Sequence, residues 1–196
     1  MFKLKNKQLE TAKKMLLILY VISILEVIAR NLFGPVFAAY VIDIGGDLMA
    51  SGTALAINTA VVGVFIIIFG RIASKYHTEK LQLVIGYGLT ALVYLGYTLV
   101  DTPHQLFALE AVSGIAAALE VPAFSGLFSS LQKKDKHAKG WGDYLGMMNF
   151  ISAGALLASG AIAQEYGFDT LFITMFSFEI FCMFFAITLF RYKNIS

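Results

Sequence analysis

Five charged side chains lie inside stretches that are otherwise apolar: Glu26, Arg30, Glu110, Glu120 and Glu179. A charge in such surroundings costs several kcal/mol unless it is paired, hydrogen-bonded or wetted. Carboxylates beside a guanidinium can bind protons, a charged solute, or one another. Glu26 and Arg30 are four residues apart with the acid on the N-terminal side, the favourable order for a pair on one helix face. Such a pair either neutralises itself or faces a cavity, and Phe33 and Phe37 continue the same stripe. Glu110, Ser113, Ala117, Glu120 and Phe124 follow 3-4-3-4 spacing, so they share one broad helix face. Glu110 lies near the end of its run and is either solvated or directed inward. Glu120 lies deeper, with no basic residue near it in sequence. A carboxylate withdrawn from water favours its neutral form. Glu120 is therefore the first candidate for proton coupling, against the alternative of a permanent pair with Arg30. Asn58, Asn149 and Ser152 could hydrogen-bond a solute or simply join helices. Glu179 has no partner legible in the sequence.

The elements that must position these groups follow from composition. The chain is 58% hydrophobic and only 14% charged, against about 25% charged in soluble domains. A membrane-spanning helix needs about 20 mainly apolar residues. Six stretches qualify: 15–42, 53–73, 81–100, 105–131, 141–163 and 170–191. They form one domain over 1–196. The first is too long for a signal-peptide core and is expected to be a retained span. All Lys and Arg except Arg30 fall in four clusters: Lys3 to Lys14, Arg71 to Lys80, Lys133 to Lys139, and Arg191 with Lys193. The intervening turns carry Asp43, Asp47, Asp101, Glu165 and Asp169 and no base. Basic loops stay on the cytoplasmic side. The expectation is an integral plasma (inner) membrane protein with both termini cytoplasmic. Trp141, Tyr144, Tyr192, Tyr40 and Tyr166 fall near the expected boundaries, where rings with a polar tip sit at headgroup level or simply pack. Glycines such as Gly142 and Gly146 allow close helix approach.

Several chemistries are excluded. No GxxxxGK[ST] run is present, so no P-loop nucleotide hydrolysis is expected. His77, His104 and His137 are scattered at helix ends without ligand spacing, so neither a metal nor another cofactor is expected. The basic run from Lys133 to Lys139 beside a membrane suits lipid headgroups rather than nucleic acid. The expected partners are the bilayer and a small-molecule solute, and no enzyme activity is expected.

A weak internal repeat appears as Gly34-Pro35-Val36-Phe37 in the first span and Val121-Pro122-Ala123-Phe124 in the fourth. Their spans run in opposite directions, so the pattern fits two inverted three-helix units, each led by a Pro-broken helix. With its short basic loop between the second and third spans, the chain resembles one half of a major facilitator superfamily transporter, most closely the N-terminal half. In the loop Gly70, Lys75 and Lys80 fit that family's signature, while Ser74 stands where it prefers Asp and His77 where it prefers Gly. In the fourth span Glu110-Ala111-Val112-Ser113-Gly114 keeps the Gly of an Arg-x-x-x-Gly motif and inverts its charge. The resemblance implies an all-α membrane protein: six transmembrane helices in two inverted three-helix repeats, half of a major-facilitator-type bundle. It also implies helices 1, 2, 4 and 5 around a cavity with 3 and 6 outside, and gating at Gly70, Ser74 and Lys75. The expected function is a half-size secondary transporter of a small organic solute, proton-coupled, acting as a parallel homodimer by alternating access. A non-transporting membrane subunit or scaffold, one half of a heterodimeric transporter, and an isolated half that does not transport are the alternatives.

Overall fold

The computed structural model describes residues 2–132 and 137–192, with side chains from Leu9 onward. The side chains of Lys3, Lys5 and Lys7, and all of Lys133, Lys134, Lys136 and Lys193, lie outside the described residues. What is described is almost entirely helical: α1 (Phe2–Phe33), α2 (Phe37–Asp43), α3 (Leu48–Tyr76), α4 (Glu79–Tyr97), α5 (Pro103–Leu131) and α6 (His137–Thr188). Four stretches are long and apolar enough to cross a membrane: Leu9–Asp43, Leu48–Tyr76, Pro103–Leu131 and His137–Arg191. α4 is not among them; its 19 residues include Glu79, Lys80, Gln82, Thr90 and three tyrosines.

α6 holds 52 residues, which at 1.5 Å each is about 78 Å, far beyond the roughly 30 Å of a hydrocarbon core. It does not run straight. Gly167 takes φ 79 and ψ 172, a conformation open to glycine, and the chain folds back there. Tyr144 and Met148 from the first arm pack in the same cluster as Cys182, Ala186 and Leu189 from the second. Ala158 and Ile162 meet the cluster of Phe172 and Met175. The two arms are therefore antiparallel neighbours, and they correspond to the expected stretches 141–163 and 170–191.

The two expected prolines behave differently. Gly34-Pro35-Val36 forms a 3-10 turn that separates α1 from α2. Pro122 stays inside an unbroken α5. Proline removes one intrahelical hydrogen bond in either place, but only at the first is it preceded by glycine, which lowers the cost of leaving helical geometry.

Caps account for the ends of α3. The Asp47 side chain accepts a hydrogen bond from the Ala50 amide at 2.7 Å, as an N-cap aspartate should. At the other end His77 adopts a left-handed φ of 53, and its amide donates to the Ala73 carbonyl. That position suits glycine. His77→Gly is expected to raise stability by about 1 kcal/mol, read as a higher unfolding temperature in detergent.

Packing divides the bundle into two apolar halves. One gathers Met15, Leu19, Ile22, Leu83, Tyr87 and Phe128 with the outer ends of both α6 arms. The other gathers Phe33, Phe37, Tyr40, Tyr97, Leu106 and Phe172. Tyr40 and Tyr144 are core residues rather than boundary anchors: the Tyr40 hydroxyl donates to the Tyr97 carbonyl at 2.8 Å, and that of Tyr144 donates to Ser23 at 3.1 Å. α1 packs mainly on α6, and α3 mainly on α5, while α4 touches both α5 and α6. Lys75, Lys80, Lys139 and Arg191 fall at the end of the first half, and Asp43, Asp47, Asp101 and Asp169 at the end of the second.

Candidate functional site

Between the two apolar halves each of four helices contributes polar side chains. In α1 Glu26 and Arg30 follow Ile22; in α4 Thr90 lies between Tyr87 and Val93; in α5 Glu120 precedes Ala123; in α6 Glu179 lies between Met175 and Cys182. The charges thus form a waist where neither apolar cluster continues.

Arg30 is its centre. It is ion-paired with Glu26 on its own helix, and its guanidinium also lies 3.7 Å from the buried Glu120 carboxylate across the bundle. Thr90 donates to the other Glu120 oxygen at 2.6 Å. A Cβ on Gly86 would lie 2.5 Å from the Glu120 Cγ, so glycine at that position makes room for this carboxylate. Glu120 is held by a guanidinium and a hydroxyl, both of which can release it without breaking a helix.

A cavity of about 470 Å³ opens on one side of the waist. Arg30, Glu110, Ser113, Ala117 and Glu120 line it together, with Asn58, Phe33 and Phe37. Glu110 is buried and well satisfied. Tyr97 donates to one of its oxygens at 2.7 Å and Asn58 to the other at 3.0 Å. A smaller cavity of about 160 Å³ lies on the other side, bordered by Glu26, Tyr87, Phe124 and Tyr144. Glu120 borders both cavities.

Some expectations need correcting. The third and sixth helices do not stand outside the cavity. Thr90, Tyr94 and Tyr97 of α4 and Met175 of α6 line it together with Ser113 and Ala117 of α5, because α4 packs on both α5 and α6. The first arm of α6 contributes nothing to the larger cavity. Its Asn149 is exposed and donates back to the Leu145 carbonyl at 2.8 Å. Ser152 joins helices, accepting from Asn31 of α1 at 3.2 Å. Glu179 turns inward and is fully buried.

The glycines divide sharply. Gly114 lets α3 approach α5, since a Cβ there would lie 2.8 Å from the Asn58 carbonyl oxygen. Gly63, Gly142, Gly146, Gly154 and Gly160 have nothing within 4 Å of a built Cβ. Among the described residues, the Gly142–Gly146 pair therefore brings no neighbouring helix into close approach.

The family profile described as Major Facilitator Superfamily matches residues 19–194. The chain belongs to the major facilitator superfamily. It is an integral membrane protein of a transporter family, not an enzyme. No curated protein sequence matches it. In this superfamily chain the residues expected in a gating loop, Gly70, Ser74 and Lys75, instead form the last turns of α3, and a Cβ on Gly70 would lie 3.5 Å from Pro122 of α5. Ser74 and Lys75 are exposed, and Lys75 lies 5.0 Å from the Tyr76 ring centre. The loop between α3 and α4 is tied down by Lys80, which donates to the Tyr192 carbonyl at 2.6 Å, and by Gln82, which donates to Phe69 at 3.0 Å.

The residues that sequence reasoning missed are Gly86, Thr90, Tyr94 and Tyr97. Their spacing of four, four and three puts them on one face of α4, which is the signal in the sequence that could have found them. Glu179 carried no such signal.

Proposed function

We propose that this major-facilitator chain is a half-size secondary transporter of a small organic solute, coupled to protons and working as a parallel homodimer by alternating access. The observation that carries the reading is the position of Glu120, a buried carboxylate shared by two cavities on opposite sides of a charged waist and held by Arg30 and Thr90. A solute entering the larger cavity meets the guanidinium and the carboxylate at once. Any shift in the Arg30–Glu120 contact changes the affinity of Glu120 for a proton, which is the linkage that coupling needs. Glu110 and Glu120 outnumber Arg30 in the lining, and Phe33, Phe37, Tyr94 and Tyr97 add aromatic faces. That chemistry fits an amphipathic organic cation best.

The chain crosses the membrane six times in this reading: α1 with α2, α3, α4, α5 and the two arms of α6. Both termini are cytoplasmic in the plasma (inner) membrane, as the basic end of the bundle favours. The pairing of α1 with the first arm of α6 and of α3 with α5 supports two inverted three-helix repeats. The open glycines on α3 and the first arm of α6, with Phe150 85% and Leu157 83% exposed beside them, support a second six-helix unit on that face. A second copy supplies it.

The test uses proteoliposomes with an imposed pH gradient and ethidium as the probe cation. Gradient-driven movement of ethidium above empty liposomes is expected. No movement in either gradient direction contradicts the reading.

A further inference from the structure

The charged waist holds one acid that the coupling scheme above does not use. Glu179 is fully buried, and neither of its oxygens has a hydrogen-bond partner among the described residues. The groups around it come from every packed element: Glu26 and Arg30 from α1, Tyr87 and Tyr94 from α4, Glu120 from α5, and Cys182 one turn away on its own helix. The Tyr87 hydroxyl is likewise buried without a partner among the described residues.

The charges do not balance if every acid is ionised. Glu26, Glu120 and Glu179 then share a single guanidinium, and Arg30 is already committed to Glu26 and Glu120. A buried carboxylate that accepts no hydrogen bond is the most costly arrangement a carboxyl group can adopt, whereas a neutral carboxylic acid carries only the cost of a buried polar group. Arg30 is the one group in the surrounding set that could neutralise Glu179.

We propose that Glu179 is a second proton-binding carboxyl of this site, protonated while Arg30 engages Glu120 and deprotonated when Arg30 turns to it. The exchange balances: the O–H bond of the Glu179 acid breaks, an O–H bond forms on the Glu120 carboxylate, and Arg30 passes from Glu120 to Glu179. The charge of the cluster is the same before and after. The proton has then moved from an enclosed position on α6 to the carboxyl that borders both cavities. The inference rests on reading the waist as a coupling site, but its test needs neither solute nor flux.

The test is infrared spectroscopy of the purified protein in lipid nanodiscs at neutral pH, following the carboxylic-acid C=O stretch and its shift on deuteration. The wild type is expected to show a buried acid band that Glu179→Gln removes. In Glu120→Gln the guanidinium loses one of its two partners and becomes free to turn to Glu179, so the same band is expected to weaken. A wild-type acid spectrum from which Glu179→Gln removes no band overturns the proposal, as does a Glu179 band that Glu120→Gln leaves unchanged. The glutamine at 179 has the size and neutrality of the protonated acid, so folding should be retained. If Glu179→Gln fails to fold, the Glu120→Gln spectrum decides alone. A band that behaves as expected beside absent ethidium movement locates the failure in the transport reading, and the reverse pattern locates it in Glu179.

Discussion

Glu120→Gln is expected to abolish proton-driven solute movement, leaving ethidium flux at the level of passive exchange and independent of the imposed pH gradient. The substitution preserves size, and the glutamine carbonyl can still accept from Thr90, which donates to this side chain at 2.6 Å. It removes the one charge and the one titratable site that border both cavities. Arg30 then keeps Glu26 on its own helix and loses the Glu120 contact across the bundle. On the proposed reading, binding of the cation at the aromatic lining and Glu110 should survive with modest loss. The measurement is initial rate of movement against pH for wild type and mutant at equal protein density. A wild-type pH profile in the mutant would remove Glu120 from the coupling step.

The largest structural effect is expected from Gly114→Val. The added Cβ would fall 2.8 Å from the Asn58 carbonyl oxygen and 2.9 Å from the Val61 Cβ. Neither atom is the end of a flexible side chain, so α3 must move away from α5. α3 has little else to hold it: its buried residues are Ser51, Ala54 and Ala73. Overpacking of this kind costs about 1–3 kcal/mol. Separation also strips Glu110 of its bond from Asn58, leaving a buried acceptor short of a donor at a further cost of about 1–3 kcal/mol. The sum is large against a total stability of about 5–15 kcal/mol. The unfolding temperature in detergent should fall steeply for Gly114→Val and hardly at all for Gly142→Val, whose added Cβ meets nothing within 4 Å. Equal effects at the two sites would contradict the assigned helix contacts.

That contrast shows what the sequence could and could not reveal. Apolar runs and turn residues located the helices closely, because helix length and hydrophobicity are local properties. The expected stretch 105–131 is α5, Pro103–Leu131, and 53–73 is α3 extended at both ends by its caps, Asp47 and His77. Helical spacing also grouped Glu110, Ser113, Ala117 and Glu120 on the face that lines the cavity. Facing partners were not legible. In lipid a helix can present apolar side chains in every direction, so periodicity does not mark which face is packed. Gly86 and Gly114 press against neighbours while Gly142 and Gly146 are open, yet all four look alike in the sequence. Glu179 lies about sixty residues from Glu120 and joins the same waist only because α6 folds back at Gly167. Placing the third and sixth helices at the periphery hid Thr90 and Tyr94 and left Glu179, though singled out as a charge in an apolar stretch, without a partner.

The central claim is that these residues form one half of a transporter completed by a second copy. Native mass spectrometry of the purified protein released from lipid nanodiscs tests it most directly. A species at twice the chain mass of 21.5 kDa, persisting as the protein is diluted within the lipid, is the predicted result. A strict monomer at every dilution would contradict it.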